Sequence, residues 1–165
     1  MNAQPSPGVV PLTWQRLEEM VDHLAQSIGR DTPQTLVAVL RGGAVPAVLL
    51  AHRLGLRDLR TIEVTHTAND GRHAAKTPTP VVVNAESLGD LAGHDVVIVD
   101  DVAGTGHTLA AVVDLVVRAG ATRARTALCV VNADNWTRPA PVEEAATYIG
   151  EVTRGWVVFP WEEGP

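Results

Sequence analysis

The sequence predicts an α/β fold in which helices cover both faces of a central, mostly parallel sheet. Helical and strand-like patterns alternate along the chain, and the strand-like segments Leu36–Leu40 and Val96–Val99 are almost continuously apolar. Strands of this kind are typical of parallel sheets buried between helices. The 165 residues suffice for one such domain, and ligands of these folds bind beyond the carboxyl ends of the strands.

The first part of the chain predicts an arm and a helix. Residues 1–11 contain three prolines and no periodic apolar pattern, so we expect a loose arm before a single domain over 12–165. Apolar residues then recur at three- and four-residue steps from Trp14 to Ile28, the spacing of an amphipathic helix. Thr13 is the predicted N-cap, and Gly29 is the predicted end of this helix.

The next elements alternate between strand and helix. The strand Leu36–Leu40 ends abruptly at a turn, Arg41–Gly43, which we name the arginine-glycine turn. Val45–Leu54 has helical spacing, and Thr61–His66 is a predicted strand. The polar segment His66–Thr79 is rich in turn residues, and we expect a mobile loop there.

The second half of the chain repeats the alternation. Val96–Val99 is the clearest strand, and a helix is predicted from about Thr108 to Arg118, ended by Gly120. Three further strands are predicted over 126–131, 146–150 and 156–159.

Composition excludes several classes of function. The net charge is −6 and Lys76 is the only lysine, which argues against a protein that holds nucleic acid through its phosphates. No apolar run approaches the roughly 20 residues that span a bilayer, so we expect no membrane partner and a cytoplasmic location. The single cysteine, Cys129, lies in an apolar run and is interpreted as a core residue.

One segment carries the clearest chemistry. Asp100 and Asp101 follow a buried strand, and together they can accept hydrogen bonds from the neighbouring hydroxyls of a ribose. The residues after them, Ala103–Thr108, are small and precede a helix; we name them the glycine-threonine loop. Its backbone N–H groups and threonine hydroxyls suit a phosphate at the positive end of that helix. A sugar phosphate would bind both parts of this segment, with its hydroxyls at the aspartates and its phosphate at the glycine-threonine loop.

The same segment, DDVAGTGHTL, resembles the phosphoribosyl-pyrophosphate (PRPP) binding signature of the type I phosphoribosyltransferases. Two other segments support the resemblance. LRGGAVPAVLLAHRLG is similar to the pyrophosphate-binding loop and helix of these enzymes, and GWVVFPWEE to the base-binding segment of the xanthine-guanine and archaeal hypoxanthine branch. The similarity extends from Thr13 to Glu162. It implies the type I phosphoribosyltransferase fold, with a flexible hood over the reacting centre at 66–79.

The resemblance also implies an activity, the transfer of ribose 5-phosphate from PRPP to a nitrogen of a purine or purine-like base, with release of pyrophosphate. Mg²⁺ is the implied cofactor, held by Asp100 and Asp101 largely through the substrate. A homodimer or homotetramer is the implied assembly.

Roles of single residues follow from the resemblance in the same way. Asp100, Asp101 and Arg41 are the implied catalytic residues, and a non-proline cis peptide is expected at or next to Arg41. PRPP would be bound by Arg41, Gly42, Gly43, Asp100, Asp101, Ala103, Gly104, Thr105, Gly106, His107 and Thr108. The base would stack on Trp156 and bond the backbone of Val157, within a base-binding segment at 147–162.

The sequence departs from this branch at two positions. Gly104 stands where a catalytic aspartate is usual, and no lysine follows the strand after the glycine-threonine loop. Asp134 or Asp70 is a hypothesis for the missing base, and Asn132 or Asn135 for reading the edge of the acceptor. Asn132 and Asp134 are accordingly included among the predicted base-binding residues.

Two functions compete at this stage. The first is an active phosphoribosyltransferase. The alternative is a non-catalytic sensor or regulator that binds PRPP or a nucleotide, catalysis having been lost with the acid at Gly104. A fold alone does not separate them.

Overall fold

A computed structural model describes residues 8–67 and 76–162 of the chain. Within these residues the strands are β1 (Val9–Pro11), β2 (Thr35–Leu40), β3 (Asp58–Thr67), β4 (Lys76–Val82), β5 (Asp95–Ala103), β6 (Arg123–Asn132), β7 (Tyr148–Thr153) and β8 (Trp156–Val158). The α-helices are α1 (Trp14–Gly29), α2 (Ala44–Leu54), α3 (His107–Arg118) and α4 (Val142–Ala145), and a short 3-10 helix spans Ala85–Leu88. Among the described residues, no helix is both long enough and apolar enough to span a membrane.

The central sheet confirms the predicted fold class. Its strands are ordered β4-β3-β2-β5-β6-β7, and every neighbouring pair is parallel except β3 and β4. Helices α1 and α2 pack on one face, against residues such as Leu36, and α3 packs on the other face, against residues such as Val37. Consecutive residues of β2 therefore enter different cores, which is why its sequence is apolar throughout.

Helix α1 forms as its pattern predicts. The side chain of Thr13 accepts a hydrogen bond from the Arg16 N–H at 3.1 Å, so it caps the first turn. One stripe of the helix is buried, and its members are Leu17, Met20, Val21, Leu24 and Ile28. Burial of side chains of this size contributes about 1.5–3 kcal/mol each, so the stripe fixes α1 on the sheet.

The hood segment differs in part from the prediction of a loop over His66–Thr79. Strand β3 continues to Thr67, and Lys76–Val82 forms β4, which pairs antiparallel with β3. The prolines of β4 lack the N–H that an inner strand needs, but an edge strand tolerates them, and β4 is an edge strand. Residues 68–75, which include Asp70, lie outside the described part of the chain.

The prediction that residues 1–11 form a loose arm is wrong for its last three residues. Val9–Pro11 form β1, which pairs in parallel with β8 in a separate two-stranded sheet. Two β-branched valines favour the extended backbone, and the main-chain N–H of Trp156 donates to the Gly8 carbonyl at 2.6 Å. The chain preceding α1 is thereby attached to the segment predicted to bind the base.

Candidate functional site

Two turns of the predicted site meet at the carboxyl edge of the sheet. Strands β2 and β5 are parallel neighbours, so the arginine-glycine turn after β2 and the glycine-threonine loop after β5 leave the sheet on the same side. Asp100 and Asp101 lie inside β5, which runs four residues further than predicted and ends at Ala103. The peptide bond between Leu40 and Arg41 is cis, as expected from the resemblance.

The absence of side chains at Gly42 and Gly43 permits this meeting. A Cβ atom on Gly42 would lie 1.8 Å from Oδ2 of Asp101, and one on Gly43 would lie 2.6 Å from the carbonyl oxygen of Val99 and 3.0 Å from Cα of Asp100. All three distances are shorter than van der Waals contact, so a side chain on Gly42 or Gly43 would separate the turn from the acidic pair. The arginine-glycine turn and the two carboxylates therefore share one cleft.

Asp100 and Asp101, the acidic pair, are half-buried, and their ionised forms are destabilised by their surroundings. Burial, together with the charge of Asp101, raises the pKa of Asp100 well above its usual range. Burial also raises the pKa of Asp101 to about 6, although its Oδ1 accepts the Val102 N–H at 2.7 Å. The nearby negative charge of Glu162 also raises the pKa of Asp101. A pair of carboxylates held in this way favours a ligand that brings positive charge or hydrogen-bond donors.

The glycine-threonine loop leads into α3 with its backbone donors exposed to a ligand. Gly106 is the N-cap residue, with a left-handed φ of 80°, and no side chain caps the helix. The His107 N–H donates to the Thr105 hydroxyl at 3.5 Å, and the N–H groups of this first turn lie at the positive end of the helix dipole. This is the geometry of a phosphate site at a helix amino terminus.

Trp136 and Arg138 pack against this loop at Gly106. A Cβ on Gly106 would lie 2.8 Å from ring atoms of Trp136 and 2.8 Å from Cδ of Arg138. The Trp136 ring N–H donates to the Ala140 carbonyl at 2.9 Å, which fixes the ring in place. Trp136 thus packs against Gly106 and limits the space at the N-cap of α3.

A cavity of about 230 Å³ joins the predicted phosphate and base regions. Its lining residues are Asp100, Val102, Ala103, Gly104, Thr105, Gly106, Thr108, Leu109, Asn132, Asn135, Trp156, Val157, Phe159 and Glu162. Most of the predicted site thus faces one space. The predicted residues Arg41, Gly42, Gly43, Asp101, His107 and Asp134 are outside this lining, the first four because they form the adjoining cleft.

Val157 presents its backbone to the cavity. On either side of Val157, the Trp156 N–H donates to the Gly8 carbonyl and the Val158 carbonyl accepts from the Leu12 N–H. Trp156 and Val158 therefore direct their peptide groups toward β1 and the residues that flank it. Successive residues of a strand point their peptide groups in opposite directions. The N–H and C=O of Val157 therefore point away from β1, and Val157 is one of the lining residues.

Asn132 and Asp134 are engaged in holding the loop between β7 and β8. The Asn132 amide donates to the Gly155 carbonyl at 2.6 Å and accepts from the Asp134 N–H at 3.0 Å. Asp134 accepts the Gly155 N–H at 3.1 Å and contacts Arg154 at 3.3 Å. With both functional groups used, these two residues position Gly155 and Trp156, and Asp134 is poorly placed to act as the base suggested by the sequence.

Four residues that line the cavity had no individual role in the prediction from the sequence: Val102, Leu109, Phe159 and Glu162. Phe159 is only 2% exposed and stacks on Trp161 with ring centroids 4.7 Å apart, yet it also lines the cavity. Glu162 carries a carboxylate to the cavity, and its only sequence signal is an acidic residue after an aromatic segment. Asn135 was only an alternative to Asn132, because nothing in the sequence shows which of the two amides is already bonded.

Comparison with known proteins agrees with this geometry. The family model for the phosphoribosyl transferase domain matches residues 12–165. A xanthine-guanine phosphoribosyltransferase from Cereibacter sphaeroides is 30% identical over 131 residues, which are 78% of this chain and 69% of the relative.

Solved structures show the same fold. A purine phosphoribosyltransferase from Pyrococcus horikoshii Ot3 superposes with a TM-score of 0.78 at 35% identity, covering 96% of each chain. A hypoxanthine phosphoribosyltransferase from Staphylococcus aureus superposes with a TM-score of 0.70 over 87% of this chain and 76% of its own, but at 18% identity it supports the fold alone.

Proposed function

Because the chain belongs to the phosphoribosyl transferase domain family, we propose that it transfers ribose 5-phosphate from PRPP to a ring nitrogen of a purine and releases pyrophosphate. The observation that carries the proposal is the cavity shared by the glycine-threonine loop and Trp156, with Asp100 at its wall. A phosphorylated pentose fits one end of such a cavity and a planar base fits the other. The relatives named above give no support to the sensor alternative.

The sugar-phosphate half of the substrate would be held by charge and by backbone donors. The glycine-threonine loop and the first turn of α3 bind the 5-phosphate. Asp100 and Asp101 accept hydrogen bonds from the ribose hydroxyls. The arginine-glycine turn, in contact with Asp101, would offer the charge of Arg41 to the pyrophosphate, whereas the Gly43 N–H is already bonded to the Val39 carbonyl at 2.9 Å.

The base would occupy the other end of the cavity. Trp156 provides a face on which a planar ring stacks, and the free backbone of Val157 offers one donor and one acceptor to its edge. The residues 147–162 would thus act as the base-binding segment. Asn132 and Asp134 support it indirectly, through their bonds to Gly155.

The acidic pair also fits a bound Mg²⁺. Carboxylate oxygens are preferred ligands of this ion, and burial raises the pKa of both aspartates, so a bound cation would favour their ionised form. Asp100 and Asp101 would hold it together with oxygens of the substrate. When bound, the ion would neutralise charge on the departing pyrophosphate.

The chemistry asked of the protein is mainly positioning and charge stabilisation. The bond from the anomeric carbon to pyrophosphate breaks, the pyrophosphate leaves with the electron pair, and the ring nitrogen forms the new bond and sheds its proton. Arg41 and the loop amides stabilise the charge that collects on the leaving group. A cytoplasmic location and a homodimer or homotetramer belong to the same proposal.

A pyrophosphate-release assay tests the function. Purified protein with PRPP and Mg²⁺ is offered adenine, hypoxanthine, guanine and xanthine, and we expect release that depends on a purine and stops when the metal is chelated. Asp100→Asn should reduce the rate by about tenfold or more. Absence of release with every purine would overturn the proposal.

A further inference from the structure

We propose that Asn135 reads the six-position edge of the base and that the preferred acceptor is a 6-aminopurine, the adenine type, rather than a 6-oxopurine; this rests on the proposed function. Asn135 is exposed to the cavity, and its Cβ lies 3.8 Å from the place where a Cβ on Gly104 would be. Asn135 therefore lines the cavity close to the glycine-threonine loop, in the space that this loop shares with the base-binding segment.

The amide of Asn135 is available to a ligand. Its backbone N–H bonds to the Asn132 carbonyl at 3.2 Å, which sets the turn, but within residues 8–67 and 76–162 its side chain makes no hydrogen bond. The neighbouring Asn132 differs, because its side chain is 5% exposed and its oxygen and nitrogen are both bonded within the protein. Of the two amides at the cavity, Asn135 is the one left to bind a base.

The rest of the cavity wall offers no cation. Among the described lining residues the polar side chains are carboxylates, hydroxyls, amides and the Trp156 ring, and lysine, arginine and histidine do not occur. This composition matters because a 6-oxopurine presents two neighbouring acceptors, the ring nitrogen N7 and the exocyclic oxygen. Two such acceptors are matched by the paired donors of arginine or lysine.

A 6-aminopurine presents the opposite pattern at the same edge. N7 is an acceptor and the exocyclic amine is a donor, so one asparagine amide bonds both, donating its NH₂ to N7 and accepting the amine at its oxygen. The nearby carboxylates Asp100 and Glu162 also favour an electropositive amine over a carbonyl oxygen. Charge and hydrogen-bond pattern therefore point to the same substrate class.

Adenine and hypoxanthine provide the test, because they share the ring and differ at the six position. Initial rates of pyrophosphate release at saturating PRPP give kcat/KM for each base. We expect the wild-type protein to favour adenine by about tenfold or more, the discrimination of a bidentate contact. Asn135→Ala should lower kcat/KM for adenine and bring the ratio near one, with KM for PRPP unchanged.

A second variant makes the assignment sharper. Asn135→Lys replaces the mixed donor and acceptor with donors alone, so the preference should move toward hypoxanthine. The matched control is Asn84→Ala, at a residue that does not line the cavity; the Asn84 side chain bonds the Glu63 N–H, and the base preference should stay as in the wild type.

Two results would overturn the inference: a wild-type preference for hypoxanthine or guanine, or an adenine preference that all Asn135 variants retain. Either result would leave purine transfer itself intact. Failure of the proposed function would look different, because no purine would then release pyrophosphate from the wild-type protein.

Discussion

Gly42 is the residue at which the two halves of the cleft touch. Its α-carbon faces the Asp101 carboxylate so closely that an added Cβ would lie 1.8 Å from Oδ2. The backbone φ at Gly42 is not left-handed, so the need for glycine here comes from space and not from conformation. The residue thus sets the distance between the arginine-glycine turn and the acidic pair.

Replacing Gly42 by alanine should therefore damage substrate binding more than folding. We expect Gly42→Ala to raise KM for PRPP by at least about tenfold, since small displacements of a binding turn have effects of that size. The matched control is Gly29→Ala at the end of α1, where the nearest atom is an ordinary 3.5 Å away. Similar KM values for both variants would contradict the role given to Gly42.

Asp101 should make the unliganded protein less stable as the pH rises. The pKa of Asp101 is about 6 in the folded chain and near 3.8 when unfolded. The free energy of unfolding is therefore highest below about pH 4, where Asp101 is protonated in both states, and it falls as the pH rises through 6. Asp101→Asn should then be more stable than the wild type at pH 7.5, by on the order of 2 kcal/mol.

Urea unfolding at pH 4 and pH 7.5 measures this difference, which should vanish at the lower pH. Exposed Glu86 offers the control Glu86→Gln, for which we expect the same stability relative to wild type at both values. An Asp101→Asn protein with no gain at pH 7.5 would show that the carboxylate is not strained.

Residue identities at the site were predictable where a pattern is local. Asp100, Asp101 and the glycine-threonine loop are contiguous, so their proximity follows from the chain itself. Asn135 and Glu162 are far from them in sequence, and only the parallel order of β5, β6 and β7 brings Asn135 to Gly104. Which amide is already bonded, Asn132 or Asn135, is a property of folded geometry that no sequence pattern encodes.

At the scale of elements, strand β1 holds the base-binding segment in place. The register pairs Val9 with Trp156 and Val10 with Val157, and the Gly8 carbonyl accepts the Trp156 N–H. Gly155 turns with a φ of 90°, and a Cβ there would lie 2.5 Å from the same carbonyl oxygen. Since β8 has no partner strand other than β1 in the described structure, β1 determines where Trp156 lies.

Deleting residues 1–11 should loosen the base end of the cavity. We expect KM for the purine to rise roughly fivefold, the equivalent of about one net hydrogen bond, with KM for PRPP nearly unchanged. Deletion of residues 1–7 alone keeps β1 and serves as the control. Equal purine KM values for the two truncations would contradict the role of β1.

Elements with strong periodicity were predictable, and the two strands that contain prolines were not. Helix α1 and strands β2 and β5 each bury a regular apolar pattern and all three are present, although β5 extends beyond its predicted end. Strands β1 and β4 contain proline, which removes a backbone donor and resembles a loop signal in sequence. Both lie at sheet edges, where a missing donor costs little, and edge position is visible only in the folded molecule.

At the scale of the whole molecule, the site and the main buried ion-pair network occupy opposite ends of the sheet. Arg125 near the start of β6 is 4% exposed at its side chain and contacts Asp31 at 3.1 Å and Asp95 at 2.5 Å. The Tyr148 hydroxyl lies between Arg125 and Asp31 and bonds both. This network joins the segment after α1 to β5, β6 and β7 at the amino ends of the strands, away from the cleft.

Arg125→Ala should therefore reduce stability and leave substrate binding unchanged. Loss of the guanidinium removes the buried charge that pairs with Asp31 and Asp95, which we expect to cost about 3 kcal/mol and to lower Tm by roughly 6 °C or more. Arg118→Ala, on the exposed face of α3, is the control. Calorimetry gives the Tm, and a changed KM for PRPP in Arg125→Ala would refute the separation of the two ends.

The pairing of β1 with β8 makes the order of synthesis matter for activity. Translation produces Val9 early and Trp156 only after nearly all of the sheet, so β1 must wait without a partner while the rest of the domain folds. The proposed purine end of the cavity is thus completed by two strands that are synthesised far apart in time. Cleavage of the chain within either strand would impair binding of the same part of the substrate.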